Sequence, residues 1–235
     1  MADTPASRHV KRALASKEAA RTAGSNLMEG TTIYQQMQVR LASDRARLKQ
    51  IQSTQGKAQL KVALLPSYGP YLEGVLSANA GGKDDIVSTL MLWHFDAGQF
   101  DAGLDIAQYV LAHGLDMPDT HKRTAGCVVA EEVGQAAMNA LKTSAPFDLD
   151  VIDRAATLTE GQDMPDEVRA RLLLARGRSL LATDTEAAPL DADAVAKAIE
   201  DLRTAIRLHD SCGGKEVLKH AERLMKKFEA SQSND

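Results

Sequence analysis

Residues 91–119 read MLWHFDAGQFDAGLDIAQYVLAHGLDMPD, and the reading of this stretch decides the fold. Phe-Asp-Ala-Gly occurs twice in it, at Phe95–Gly98 and Phe100–Gly103. Residues 84–96 form a helical segment ahead of the first copy, opened by Asp84 and Asp85, where acidic side chains meet the positive end of a helix. After Gly98 the apolar period restarts at Phe100 and runs through Leu104, Ile106, Ala107, Val110 and Leu111. Gly98 is therefore read as the terminator of one helix, with Asp101 in the first turn of the next. Phe95 and Phe100 are then placed to cover the open end of an αα-corner. A phosphate-cradling loop is excluded, because no Gly-Lys-Ser/Thr follows and no strand precedes.

Outward from the corner the helical period recurs. Toward the N-terminus, LLPSYGPYLEGVL (64–76) carries Pro66, Gly69 and Pro70, which interrupt a helix. One helix is predicted before it and another from about Pro70 to Asn79, with a break at AGGK (80–83). Toward the C-terminus, helices are predicted at about 126–142 and 148–160, separated at Pro146. Three more lie in DEVRARLLLARGRSLLA (166–182), DADAVAKAIEDLRTAIRLHD (191–210) and KEVLKHAERLMKKFE (215–229). DMPD stands at 116–119 and again at 163–166, each copy read as a helix start. Leu173, Gly177 and Leu180, then Ala198, Leu202 and Ala205, have the character of a tetratricopeptide hairpin with an insertion, although the spacing is too irregular for a repeat array. No stretch alternates as a strand does.

The N-terminal quarter differs. Residues 6–23 can be helical but have a poor apolar face, so a mobile arm is expected, followed by a linker at 24–30, GSNLMEG. In TTIYQQMQVRLASDRARLKQIQS (31–53), Ile33, Tyr34, Met37, Leu41, Leu48 and Ile51 form one stripe. Asp44 breaks its coiled-coil spacing. The stripe either packs on its own domain or meets a second copy. The predicted fold is all-α: a helical bundle of αα-hairpins with tetratricopeptide-like pairs and a long N-terminal amphipathic helix. Its parts are a basic mobile arm (1–30), an amphipathic helix as oligomerisation element (31–55), a central helical domain (56–145) and C-terminal helical hairpins (146–235).

At 235 residues the chain can bury one good-sized core or two small ones. No segment approaches the roughly 18 apolar residues of a membrane span, and no apolar run follows the basic N-terminal residues as in a secretory signal. The two cysteines, Cys127 and Cys212, fit no metal spacing. These features describe a soluble, cytosolic protein. The net charge of −4 is unevenly spread: residues 1–64 hold 11 Lys/Arg against 4 Asp/Glu, and residues 65–235 hold 17 against 28. A basic end on an acidic body suits contact with a polyanion, or else is a solvated basic helix.

Candidates for catalysis are few. Asp84–Asp85 and Glu131–Glu132 are adjacent pairs, and neighbours on a helix point about 100° apart, so neither pair converges on one metal unaided. His94 and His113 lack companions at ligand spacing. Cys127 follows Gly126 near a helix start and reads as structural. No catalytic residues, metal site or cofactor are expected.

IYQQMQVRLASDRARLKQIQS, LLPSYGPYLEGVL, GGKDDIVSTLMLWHFDAGQFDAGLDIAQYVLAHGLDMPD, KRTAGCVVAEEVGQAA and DMPDEVRARLLLARGR together resemble the small terminase subunit of tailed phages of the peduovirus type. The likeness runs in order from about Thr31 to Arg178. It implies an oligomeric protein, often a ring, that recognises the packaging (cohesive-end) site on double-stranded phage DNA in the host cytoplasm. It also implies a second partner, the large terminase subunit with its ATPase motor and nuclease, which this subunit recruits and regulates. The family has been labelled an endonuclease subunit. Metal-dependent cleavage normally needs several converging carboxylates, and these helices supply no such cluster, so the label is read as describing the holoenzyme. The rivals are a nuclease subunit with its own metal site and a tetratricopeptide-like scaffold without DNA binding.

Under that resemblance DNA contact is assigned chiefly to Arg8, Lys11 and Arg12, with Lys17 and Arg21 on other faces of the same helix. Arg40, Arg45, Arg47 and Lys49 take a mixed role, since their aliphatic stems can cover the edges of the apolar stripe. Oligomerisation is assigned to Tyr34, Met37, Leu41, Leu48 and Ile51.

Overall fold

The computed structural model describes residues 4–22, 32–118, 122–182 and 190–232. Among the described residues the chain forms eleven α-helices, one 3₁₀ turn and no strand. The helices are α1 (Pro5–Thr22), α2 (Thr32–Lys49), α3 (Thr54–Leu64), α4 (Gly69–Ala78), α5 (Asp85–Asp96), α6 (Phe100–Ala112), α7 (Ala125–Thr143), α8 (Leu149–Thr159), α9 (Asp166–Ala182), α10 (Ala192–Leu208) and α11 (Lys215–Gln232); the 3₁₀ turn Leu65–Ser67 links α3 to α4. The all-α class is as the periodicity predicts. The linker at 24–30, most of the insertion between α9 and α10 (183–189), and the end of the first DMPD lie outside the described residues.

The doubled Phe-Asp-Ala-Gly is the turn between α5 and α6, and its two glycines serve different purposes. Gly98 has φ +73°, the left-handed conformation that ends a helix. Its N–H donates to the Phe95 carbonyl at 2.9 Å, and the next N–H, that of Gln99, donates to His94 at 2.9 Å. Gly103 instead makes room, because a Cβ there would stand 2.6 Å from Cε1 of Phe95. The Phe95 ring can then close the corner, 6.2 Å from the ring of Phe100.

The chain divides into two units, Met1–Ala125 and Gly126–Asp235. The division lies at the start of α7, not near residue 145, and no division follows residue 55. α7 belongs to the second unit, where a Cβ on its Gly134 would lie 3.2 Å from the Leu172 backbone of α9. α2 is tied into the first unit by side chains that reach well along the sequence: Tyr68 donates to Asp44 at 2.8 Å and Arg45 donates to Thr89 at 2.8 Å.

Within the first unit α1 is not a solitary arm. Its Ala15 and Ala19 are buried, and α1 lies against α4 at Gly74, where a Cβ would stand 2.5 Å from the Arg12 carbonyl oxygen and 2.6 Å from Cβ of Ala15. Small side chains let two backbones approach, so a helix with little apolar surface still finds a packing partner. Gly74→Ala is expected to push α1 off α4 at a cost of about 1–3 kcal/mol. Hydrogen exchange should then rise along residues 5–22 and stay unchanged in α5 and α6; an α1 as protected as in the parent would show that this contact does not hold the helix.

The α2 stripe is likewise committed inside the chain. Ile33, Tyr34, Met37, Leu41 and Leu48 are all buried, while Ile51 lies beyond the end of α2 and is half-buried. Tyr34, Met37, Leu41 and Leu48, assigned to an oligomer contact from the sequence, are thus placed among the buried residues of the first unit. Asp44, the polar break in the stripe, is 5 % exposed and faces the Tyr68 hydroxyl. Tyr68 in turn meets Trp93 edge to face at 6.1 Å.

In the second unit α9 and α10 form the closest hairpin. A Cβ on Gly177 would be 3.0 Å from Cγ of Leu202 and 3.2 Å from the Ala198 carbonyl oxygen, the residues that suggested a tetratricopeptide-like pair. Ala170, Leu174, Val195, Leu202 and Ala205 form the core with Ala221 of α11. Arg176 spans the hairpin, donating from Nε to Asp201 at 2.6 Å and from Nη2 at 2.5 Å. Asp201 is 3 % exposed, and its burial pushes the carboxyl above the usual range, with the Arg176 hydrogen bonds opposing.

Candidate nucleic-acid interface

Thr4 stands just ahead of α1, and its Oγ1 accepts the Ser7 N–H at 3.2 Å. The first turn of α1 holds no acidic residue, so the partial positive charge of the helix end is not offset there. Arg8 and Arg12 are exposed and, with His9, line a shallow groove against Pro70 and Glu73 of α4. Arg12 Nη1 lies 3.6 Å from Glu73 Oε2, with both side chains more than half exposed; such a pair is weak and readily exchanged for another anion. Arg12 Nη2 also lies 3.4 Å from His9 Nδ1. Lys11 is half-buried and Lys17 exposed. The side chain of Arg21 lies outside the described residues.

The second basic cluster is built differently. Arg47 donates to Asp44 at 3.0 Å, and Arg40 Nε lies 3.9 Å from the same carboxylate. The Arg40 guanidinium sits 5.4 Å from the centroid of the Tyr68 ring, a cation–π contact. Burial and the neighbouring Asp44 carboxylate push the Tyr68 hydroxyl well above its ordinary pKa, so it stays a proton donor to Asp44. With Arg45 bound to Thr89, only Lys49, exposed at the end of α2, stands outside this bonding. The structure therefore brings Arg8 and Arg12 together with His9, which the sequence reading passed over, and gives Arg40, Arg45 and Arg47 partners within the chain while Arg45 and Arg47 stay exposed. Asp44 could have signalled this: an acid inside an apolar stripe, flanked by arginines three and four residues away, is placed to pair with them.

The other titratable candidates have local tasks. Asp84 is 2 % exposed and caps α5, accepting from the N–H groups of Ile86 at 2.9 Å and Val87 at 3.3 Å. It also accepts from the Tyr71 hydroxyl at 2.5 Å. Burial raises its pKa to about 6 against these opposing bonds. Asp85 is exposed, and Glu131 and Glu132 are half-buried. His94 Nδ1 lies 2.9 Å from Gln99 Oε1, and burial lowers its pKa. His113 Nε2 lies 2.7 Å from Asn79 Oδ1, holding the end of α4. Cys127 is buried. Among the described residues no group of three or more His, Cys, Asp and Glu is placed to hold a metal ion, and no helix is long and apolar enough to cross a membrane.

Residues 38–167 match the family model described as phage small terminase subunit. Over 223 residues the chain is 38 % identical to the terminase, endonuclease subunit, of Escherichia phage P2; the match covers 95 % of this chain and 86 % of that protein. No solved structure matches the chain.

Proposed function

The chain belongs to the phage small terminase subunit family, and from that premise we propose that it is the DNA-recognition and assembly subunit of a viral DNA-packaging terminase. It binds the cohesive-end site of double-stranded phage DNA in the host cytoplasm, assembles with copies of itself and brings the large, ATP-hydrolysing subunit to the DNA. The observation that carries the DNA assignment is the contrast between the two basic clusters. The arginines of α2 share the buried carboxylate of Asp44 or hold Thr89, whereas Arg8 and Lys17 of α1 are exposed and Arg12 meets the exposed carboxylate of Glu73. Phosphate contacts dominate such affinities and release counterions, and oligomerisation multiplies a weak contact in each subunit. With the α2 stripe buried, self-assembly needs other apolar surface; in the first unit Val10, Leu14 and Val39 are 53 %, 44 % and 73 % exposed.

The test is the triple variant Arg8→Ala, Lys11→Ala, Arg12→Ala. It should bind every duplex more weakly and flatten the salt dependence by roughly one unit of log–log slope per lost phosphate contact, with oligomer mass unchanged. Wild-type affinity and slope in this variant would move DNA binding away from α1, with Lys49 and its neighbours the next candidates.

The name of the phage P2 relative favours a second reading, in which this chain itself cuts DNA. We assign cleavage to the large subunit, because Asp84 serves as a buried helix cap. The purified chain, incubated with cohesive-end DNA and magnesium or manganese, is expected to leave the DNA intact; specific nicking abolished by Glu131→Ala or Asp85→Ala would establish a nuclease centre here.

A further inference from the structure

The second unit contains a cleft of about 290 Å³, lined by α7, α9 and the α10–α11 turn, that has no part in the reading above. We propose that this cleft binds a small phosphorylated ligand. Lys142 of α7, Arg171 of α9 and His209 at the end of α10 all line it, and Glu167 is the one carboxylate in its lining. Lys142 and Arg171 stand out against an acidic background, since residues 126–235 hold 20 Asp/Glu and 14 Lys/Arg.

Their neighbours are already engaged. Arg169 donates to the carbonyl oxygens of Thr159 and Gln162, Arg176 to Asp201 and Arg178 to the Gly213 carbonyl, while Lys215 pairs with Asp210. Lys142 and Arg171 take part in no such hydrogen bond or ion pair among the described residues. A cleft with unneutralised cations on two helices is a site for an anion.

The cleft is also held in shape before any ligand arrives. Leu174 is a core residue, and Met138 packs against the same core, so the apolar wall is fixed. Across from it the turn is fastened: Cys212 N–H donates to the His209 carbonyl at 2.9 Å, and Arg178 holds Gly213, whose φ is +87°. Ser211 Oγ lies 3.0 Å from His209 Nε2, which sets a hydroxyl beside the ring. A site already in its bound shape loses less entropy on binding.

The chemistry of the lining fits a phosphate. A guanidinium presents a planar fork of donors that matches phosphate oxygens, and an ammonium supplies three more, with the His209–Ser211 pair adding whichever hydrogen their mutual bond leaves free. The volume is at the lower end of ligand pockets, room for one phosphate and a compact attached group against Met138 and Leu174. Glu167 can accept from a hydroxyl on that group. Free inorganic phosphate and a mononucleotide share this chemistry.

The experiment is calorimetric titration of the full-length chain with inorganic phosphate, AMP and adenosine at constant ionic strength. Phosphate or AMP should bind and adenosine should not; AMP tighter than phosphate by about tenfold or more identifies the nucleotide as the source, and equal affinity the free anion. Arg171→Ala should weaken binding about tenfold or more. Because Arg171 is half-buried, exposed Lys142→Glu is the second variant, with the same direction expected and a melting curve like that of the parent. The Arg8, Lys11, Arg12 triple variant should bind as the parent does, which separates this site from the basic end of α1. Absence of binding by both anions, or binding unchanged in both Arg171→Ala and Lys142→Glu, overturns the proposal, as does binding lost in the triple variant alone.

Discussion

Leu41→Asp should unfold the first unit, not merely separate it from another copy. Leu41 is 4 % exposed, so the change deletes a buried leucine, at about 2–5 kcal/mol. It also places a carboxylate where no partner waits, which adds a desolvation cost of a few kcal/mol. Asp44, one helical turn away on the same face, already holds a buried carboxylate whose donors are Tyr68 and Arg47; a second negative charge beside it competes for them. The total rivals the whole stability of a small domain, about 5–15 kcal/mol. Circular dichroism should show helical signal lost at temperatures where the parent is folded, with fluorescence of Trp93, the single tryptophan of the chain, shifting to the red. A variant that keeps its helicity and melting point but runs at a smaller mass would return this stripe to an oligomer interface. Val39→Asp is the contrasting change: Val39 is 73 % exposed, so the fold should survive it.

The second large effect is at Asp84. Asp84→Ala removes the acceptor for two helix N–H groups and for the Tyr71 hydroxyl, itself buried. A lost cap costs about 0.5–2 kcal/mol and an orphaned buried donor about 1–3 kcal/mol, so a loss of about 2–4 kcal/mol is expected in chemical denaturation. Asp84→Asn separates charge from shape, because its oxygen can still accept from Ile86 and Val87 while its amide donates to Tyr71. Burial raises the Asp84 pKa from 3.8 to about 6 in the fold, so the folded state binds the proton more tightly than the unfolded chain. The stabilisation this provides is complete below about pH 4 and fades as pH rises through 6. By pH 7 the native chain has lost up to about 3 kcal/mol that Asp84→Asn does not lose. The difference in unfolding free energy between the two proteins, measured from pH 4 to pH 7, should therefore shift in favour of the asparagine variant. A difference constant across that range would show that the carboxyl titrates normally.

Much of the architecture was legible because its signals are local. Gly98 interrupts a period that restarts two residues later, and Gly177 falls opposite Ala198 and Leu202 in a hairpin. Gly103 carried no such signal, since its need is steric and belongs to Phe95, eight residues earlier. The role of α1 was hidden for a related reason. Ala15 and Ala19 make a poor apolar face by any periodicity, and only Gly74, far along the chain, turns them into a contact. The α2 stripe was visible as apolar, but periodicity names a buried face and never its partner. Only the fold shows Ile33, Tyr34, Met37, Leu41 and Leu48 buried within the first unit. At the basic end the charges were legible and their partners were not: Arg40, Arg45 and Arg47 look as available as Arg8 until Asp44 and Thr89 are found beside them.

The contact between α1 and α4 also has a consequence for synthesis. Gly74 follows Ala15 by about 60 residues, and ribosomes add about 5–20 residues per second. Each new chain therefore carries α1 for roughly 3–12 s before the helix that covers it has been made. The corner of α5 and α6 joins neighbours in sequence and can close almost as soon as it leaves the exit tunnel. During that interval a nascent chain presents its basic segment, Arg8 to Arg21, to the nucleic-acid-rich surroundings of the ribosome, before its acidic body has emerged to compete for it.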